Sequence, residues 1–349
     1  METEPNLMKI LVVTFPNDLG SRTIETNLCR FLAPVCDMQH FRFAAQDSEL
    51  IDHRIDQRRN LWHRLQDALK LRRAVREAVV EGRKILFYNV SPALFTLGSW
   101  RGGQIYITLD WARRLFSPDL RGTAAMTSWI NRQILHACSG ILPMTEAMAA
   151  CLRRDYEVPA ALVRRVPSLF DIEYFDPGGV AITGGIKVLY VGGDVKRKGG
   201  DLLYEAFRTR LKGLCMLTMV TNADFPPCEN FTLRKGIRYS TPEHLAVMRG
   251  HDIFILPTHQ DAGPQVIGEA AAAGLVVLTT RAARGAPHVI NHGINGFISE
   301  SPEDCIEALA DLLNHPEKIL SMRKASLTHM KKHYTKEIIA TAYLQAMED

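Results

Sequence analysis

No C-x-x-C pair occurs in this sequence. Its seven cysteines (Cys29, Cys36, Cys138, Cys151, Cys215, Cys228 and Cys305) are scattered and odd in number, which argues against a zinc ribbon or a disulfide framework and for a reducing compartment. There is also no apolar run long enough to span a bilayer. The opening stretch, METEPNLMKILVVTF, is broken by Lys9 and carries acidic residues where a secretory leader needs basic ones. No long biased tract argues for disorder, and no recognised nucleic-acid module accompanies the basic residues. These absences leave an ordinary globular protein, expected in the cytoplasm.

What is present fits that class: 349 residues, 46% hydrophobic and 23% charged. The length exceeds what one core usually serves, so two domains are expected. Net charge is +4, and the excess lies in the first half, where residues 1–175 hold 23 Lys/Arg against 19 Asp/Glu. Short β-branched runs alternate with amphipathic stretches, the pattern of βα units and a parallel sheet covered by helices.

The pattern occurs twice. First-half strands are expected at Lys9–Phe15, Met38–Phe43, Lys84–Tyr88, Gln104–Leu109 and Gly140–Pro143, with helices near Arg22–Leu32, Asp56–Glu81, Thr123–His136 and Glu146–Arg154. Second-half strands are expected at Ile186–Val191, Cys215–Val220, Ile237–Tyr239, Asp252–Leu256 and Leu275–Thr279. Helices there are expected near Asp201–Arg208, Glu243–Arg249, Val266–Ala273, Pro302–Asn314 and Glu317–His333. Between the halves, Phe175-Asp-Pro-Gly-Gly and Thr183-Gly-Gly lack periodicity and read as a linker. The expected domains are 1–175, 176–335, and a terminal helix in 336–349 packing back on the first. Doubly wound domains bind ligands outside the carboxyl ends of their strands, so two of them facing each other would share a cleft.

Two segments carry candidate chemistry. In LPTHQDAGPQVIGEAAAAGLVVLTT, from Leu256, a loop leads into a helix. Gly263 permits unusual backbone angles and Pro264 suits the first helical position, so the helix begins near Pro264 with free N–H groups that favour an anion. Glu269 is the single charge between Asp261 and Arg281. A buried carboxylate needs donors, which sugar hydroxyls or a cation of the fold would equally supply. In Val188-Leu-Tyr-Val-Gly-Gly-Asp-Val-Lys-Arg-Lys-Gly-Gly, a strand meets a glycine turn and three cations before the next helix. Lys198 could place an ammonium on a diphosphate, or be an ordinary surface lysine. The spacing is neither Walker A nor G-x-G-x-x-G.

In their order and separation these segments resemble the carboxyl-terminal domain of the GT-B glycosyltransferases of family 4. Val191-Gly-Gly through Ala206-Phe is similar to that family's G-R-x-x-x-x-K-G loop, and His251-Asp-Ile-Phe-Ile-Leu-Pro to the strand before its donor loop. Asp261 to Glu269 stands where the family has E-x7-E, and Gly285-Ala-Pro-His-Val-Ile through Gly296-Phe-Ile resembles the stretch that follows. Further upstream, Ile141-Leu-Pro-Met-Thr-Glu, Val166-Pro-Ser and Phe170-Asp-Ile-Glu-Tyr-Phe are similar to the family's run between domains.

The resemblance implies an α/β GT-B fold of two Rossmann-like doubly wound domains facing across a cleft. It also implies a retaining, metal-independent transfer of a hexose-type sugar from a nucleotide sugar, UDP- or GDP-linked, with no further cofactor. Lys198 would contact the diphosphate, Glu269 the ribose hydroxyls and Asp261 the donor sugar. Gly192 and Gly193 would line the donor loop, and the backbone of Gly263, Pro264, Gln265 and Val266 would serve sugar and phosphate oxygens. Three positions depart from the family pattern. Gly193 replaces its arginine, with Lys196 or Arg197 as possible substitutes; Asp261 is one methylene short of its glutamate; and Pro264 lacks an N–H.

Asp110, at the carboxyl end of Gln104–Leu109, is the acceptor-side candidate, or alternatively a capping residue. Arg54 to Lys84 holds ten Lys/Arg against four acids, with Leu61, Leu65, Ala68, Leu69, Leu71, Val75 and Val79 at helical spacing and Trp62 beside them. It reads as a covering helix with a basic face, or as a peripheral contact with the inner face of an anionic membrane. His259, His288 and His292 lack metal-ligand spacing. The expected acceptor is a glycan or lipid-linked sugar. Two alternatives remain open, a non-catalytic partner-binding subunit and a sugar-nucleotide epimerase.

Overall fold

The computed structural model describes residues 7–15, 19–43, 61–96, 98–117 and 119–348. The start of the expected Asp56–Glu81 helix, with Arg54, Arg58 and Arg59, lies outside the described residues, as do the side chains of Leu61, Trp62 and Arg64. Two compact units form, Met1–Leu169 with Lys336–Asp349, and Phe170–Thr335.

The first unit runs β1 (Lys9–Thr14), α1 (Leu19–Leu32), β2 (Asp37–Arg42), α2 (Leu61–Val80), β3 (Lys84–Tyr88), α3 (Ser91–Leu94), β4 (Ile105–Leu109), α4 (Gly122–His136), β5 (Gly140–Pro143) and α5 (Glu146–Asp155). Its five strands are parallel in the order β2-β1-β3-β4-β5. β1, β3 and β4 read KILVVT, KILFY and IYITL, near-continuous apolar runs buried on both faces because helices cover both sides. From α2, Ala68, Leu71, Val75 and Ala78 enter this core, which makes α2 a covering helix, with Leu65 and Leu69 exposed.

The last helix belongs to the first unit, although about half the chain separates it from β5. Here Thr108 and Tyr343 hydroxyls meet at 3.2 Å, while Tyr106, Lys84 and Arg164 donate to the carbonyls of Met347 and Ala346. Two cations and a phenol thus satisfy the final carbonyls of a helix spanning Lys336–Glu348.

The second unit runs α6 (Ile172–Phe175), β6 (Lys187–Val191), α7 (Gly200–Thr209), β7 (Met216–Val220), β8 (Phe231–Arg234), α8 (Pro242–Arg249), β9 (Ile253–Leu256), α9 (Gln265–Ala272), β10 (Val276–Thr280), α10 (Ala286–Val289), β11 (Gly296–Ser299), α11 (Pro302–Leu313) and α12 (Pro316–His333). Its six parallel strands take the order β11-β10-β9-β6-β7-β8. The chain builds outward from β6 to β8, then crosses to β9 and builds the other way. The order reverses between β6 and β9, and ligands of such sheets bind outside the carboxyl ends at that reversal.

Several elements differ from the expectation. The Ile237–Tyr239 strand is absent: Gly236 and Ser240 take positive φ values of 71° and 60° on either side of it, and Phe231–Arg234 pairs with β7 instead. β11 was not anticipated from sequence. The turn-rich 175–185 segment is fastened to the second unit, where the Arg249 guanidinium donates to the carbonyls of Tyr174, Phe175 and Asp176 and Arg323 to that of Ala181. The unit boundary accordingly falls at Leu169–Phe170.

Candidate donor site in the second unit

At the carboxyl end of β6 the chain turns through Gly192 and Gly193 into a tight loop that ends at Gly199. A Cβ on Gly192 would stand 2.5 Å from the Tyr190 hydroxyl and 2.9 Å from Lys198 Cδ. Only glycine lets this turn close over the tyrosine. Gly199 has φ +68°, and a Cβ there would meet the Pro257 carbonyl oxygen at 2.0 Å, so the loop lies directly against the end of β9.

Side chains complete the junction. The Asp194 carboxylate accepts from the Arg197 amide at 3.2 Å and from its Nε at 3.3 Å. The Thr258 hydroxyl donates to the Arg197 carbonyl at 3.1 Å, and the same carbonyl accepts from the His259 amide at 2.9 Å. Arg197 in turn donates to the Gln260 carbonyl at 2.5 Å.

These contacts bring three charges together. Asp261 Oδ2 lies 3.7 Å from Lys198 Nζ and 3.5 Å from an Arg197 terminal nitrogen, with the aspartate and lysine both largely buried. Asp261 is itself held by its backbone, which exchanges hydrogen bonds with Ala282 and Arg284. Pro264 is the residue before the first helical turn, not the first helical residue as expected, and α9 begins at Gln265. The Ile267 amide turns back to the Pro264 carbonyl at 3.1 Å, while the amides of Gln265 and Val266 have no intrahelical acceptor.

Glu269 lies one turn further in and is buried, in a helix made after Gln265 of otherwise small and apolar residues. Burial pushes its carboxyl up to about 8, with the Lys198 charge acting in the opposite direction. Gly268 beside it accommodates Phe170, whose ring would come within 2.3 Å of a Cβ. His244 faces Glu269 from α8, its Nε2 3.7 Å from Glu269 Oε2, between the rings of Phe175 at 5.6 Å and Tyr239 at 5.4 Å. Burial drives this imidazole down to about 4.

Among the described residues, four buried side-chain polar atoms lack a hydrogen-bond partner, and three belong to this neighbourhood: Tyr190 Oη, His244 Nδ1 and Gln265 Oε1. Such groups are costly where nothing satisfies them, so their concentration around one loop and one helix is the mark of a ligand site.

The structure therefore gathers Gly192, Gly193, Lys198, Asp261, Gly263, Pro264, Gln265, Val266 and Glu269 at the β6–β9 reversal, with Gly193 and Lys196 exposed. Asp110 belongs to the first unit, at the end of β4, where it accepts from the Tyr88 hydroxyl at 3.3 Å. Sequence reasoning missed Tyr190, His244 and Thr258. The His292 ring accepts from the Ile298 amide at 3.1 Å, and the His288 backbone carbonyl accepts from the Tyr334 hydroxyl at 2.9 Å.

Residues 185–315 match the model of the glycosyl transferases group 1. That match lies wholly within the second unit. No curated protein sequence matches the chain. Solved structures share the fold over nearly the whole length. The Anabaena protein HepE in complex with UDP and glucose aligns with TM-score 0.72 at 14% identity, over 98% of this chain and 100% of its own. Sucrose-phosphate synthase from Thermosynechococcus elongatus gives 0.75 at 17% identity, covering 98% of each chain. The lipopolysaccharide outer core galactosyltransferase WaaB gives 0.68 at 14%, over 98% and 99%. Both units thus belong to a GT-B fold, and the matched residues 185–315 contain every donor-side candidate residue.

Proposed function

We propose that the protein is a retaining glycosyltransferase that moves a hexose-type sugar from a nucleotide sugar to a glycan or lipid-linked acceptor. The observation that carries this is the meeting of Lys198 and Arg197 on Asp261, beside the free amides of Gln265 and Val266 and one turn from buried Glu269.

In this reading the donor diphosphate takes the Lys198 ammonium and the α9 amides. Arg197 supplies the second cation that Gly193 does not. The Glu269 carboxylate accepts from the ribose diol, and Asp261 accepts from a sugar hydroxyl. As the bond from the anomeric carbon to the diphosphate oxygen breaks, negative charge collects on the diphosphate, where the two cations and the oriented amides stabilise it. The acceptor oxygen bonds to the same face, its proton passing to a phosphate oxygen, so configuration is retained without a dedicated base. Cations and amides carry the neutralisation. Asp110 would orient the acceptor. UDP-sugars are the first donors to test, since HepE has been seen with UDP and with UDP-glucose.

The test is a thermal-shift screen of UDP-, GDP-, ADP- and dTDP-sugars. One class should raise the melting temperature and be hydrolysed slowly, and Lys198→Ala or Glu269→Ala should abolish both effects. A flat response to all four classes would sink the reading. It would favour instead a partner-binding subunit without turnover, for which Gly193 and the missing Pro264 N–H are the motivating features.

A further inference from the structure

In α8, PEHLAVMR, only His244 and Met248 are buried. They stand four apart and so form the inward edge of the helix. Both ends of α8 are pinned. At the start, the Thr241 hydroxyl accepts from the His244 amide at 3.2 Å, and the Thr241 carbonyl accepts from the Tyr174 hydroxyl at 2.9 Å. At the end, the Arg249 guanidinium donates to the carbonyls of Tyr174, Phe175 and Asp176. The backbone that carries the imidazole is therefore fixed, and the Phe175 ring meets the imidazole edge-on at 84°.

In a capped helix the third residue commonly reaches back to the cap. His244 turns inward instead, where its polar atoms are poorly served. The residue is 7% exposed, its Nδ1 has no hydrogen-bond partner, and Nε2 stops 3.7 Å from Glu269 Oε2, beyond hydrogen-bond range. A phenyl ring would fill the same slot between Phe175 and Tyr239 and leave no nitrogen unsatisfied. Packing alone does not account for a histidine at this position.

The unpartnered Nδ1 selects the tautomer. A proton on Nδ1 would be a buried donor with nothing to accept it, whereas a proton on Nε2 faces Glu269. While burial keeps Glu269 protonated, the attraction between the two is weak, which fits the open gap. Once ionised, the carboxylate is a strong acceptor, and the Nε2–H is in place to donate to Oε2. Lys198 acts on the same carboxylate through its charge. Its ammonium also lies 3.7 Å from Asp261 Oδ2, and a point charge does not set the rotation of a carboxylate. A directed N–H does.

We infer that His244 is the positioning residue for Glu269: its Nε2–H holds the ionised carboxylate in the rotation that accepts from both hydroxyls of a ribose, so that the site separates a ribonucleotide from its 2′-deoxy form. This rests on the donor role proposed above for Glu269. The unsatisfied Nδ1 is then the cost in stability of keeping a donor aimed at that carboxylate.

The test is titration calorimetry of the full chain with UDP, GDP and ADP, each against its 2′-deoxy form. The wild type should bind one nucleotide class, and its 2′-deoxy form at least about tenfold more weakly. His244→Phe should melt at the wild-type temperature or above it, yet let the preference fall to about threefold or less. His244→Gln, whose side-chain amide can present an N–H near the Nε2 position, should restore much of it. A histidine that serves only the fold gives the opposite pattern, a lower melting temperature with the preference intact. That pattern overturns the inference, as does a wild type that binds both forms equally. Should His244→Phe lower both, recovery of the preference in His244→Gln supports the inference and no recovery overturns it. A wild type silent toward every nucleotide overturns the donor site itself, so the two failures are told apart.

Discussion

His244 Nε2 and Glu269 Oε2 lie 3.7 Å apart, both side chains buried, and the two titrate in opposite directions from their ordinary values. Burial disfavours charge on each: the carboxyl is raised from 4.5 to about 8 and the imidazole lowered from 6.5 to about 4. Near neutral pH the free protein therefore keeps a protonated glutamic acid beside a neutral imidazole.

The signs give a stability profile. Between 4.5 and 8 the folded protein holds a proton on Glu269 that the unfolded chain has lost, so this group alone makes stability fall as pH rises. Between 4 and 6.5 the unfolded chain instead holds a proton on His244 that the folded protein lacks, an opposite slope. The two offset each other up to about 6.5, and from there to about 8 the Glu269 slope stands alone, worth at most about 2 kcal/mol. Urea unfolding should show wild-type stability declining over that window, and Glu269→Gln should flatten it. An equal decline in both proteins would refute the assignment.

On the proposed function, donor binding should show the reverse trend. Accepting two ribose hydroxyls requires the ionised carboxylate, so affinity for the effective nucleotide sugar should tighten as pH approaches 8 and weaken below it. Calorimetry from about two units below the raised value up to that value should show this for the wild type and not for Glu269→Gln.

Arg197→Ala should weaken donor binding roughly 10- to 100-fold, the range of one charge-assisted contact, with a smaller loss of stability. Its carbonyl contacts to Thr258 and His259 are backbone and survive the substitution. Titration calorimetry against the donor found by the thermal screen separates the two effects.

Two glycines with similar backbone angles should respond differently. Gly199, at φ +68°, has the Pro257 oxygen 2.0 Å from any added Cβ, whereas Gly213, at φ +80°, has nothing within 4 Å. Gly213→Ala should cost about 1 kcal/mol for backbone strain alone. Gly199→Ala should cost clearly more and loosen the donor loop, measurable as a lower urea midpoint together with a lost thermal shift.

Arg323 is buried against Asp252 and also donates to the Gly274 carbonyl at 2.8 Å. Replacing it with Met should destabilise by about 3–5 kcal/mol by leaving a carboxylate unpaired, and adding Asp252→Leu should recover part of that loss. Chemical denaturation of the single and double variants decides it.

The turn between β6 and α7 and the start of α9 were legible because their signals are local. Gly192, Gly199 and Pro264 punctuate backbone turns, and Glu269 stands out as one charge in an apolar helix. The Asp252–Arg323 and His244–Glu269 pairs were not legible, because each joins helices or strands far apart in sequence and nothing in either neighbourhood names the partner. The 175–185 segment misled for a related reason. Its glycines and Pro177 report a lack of periodicity, whereas its attachment runs through carbonyls that accept from Arg249 and Arg323. β8 escaped notice because its alternation in FTLR is weak, while Ile237–Tyr239 carries β-forming side chains on a backbone that Gly236 and Ser240 bend away.

The helix spanning Lys336–Glu348 has a bearing on how the chain is made. Its Tyr343 and its final carbonyls complete hydrogen bonds to Thr108, Tyr106, Lys84 and Arg164, yet the ribosome delivers it after all of Phe170–Thr335. The unit that begins first is therefore finished last. During synthesis the second unit can close while its predecessor still waits with an open flank, so the order of emergence and the order of maturation run opposite ways.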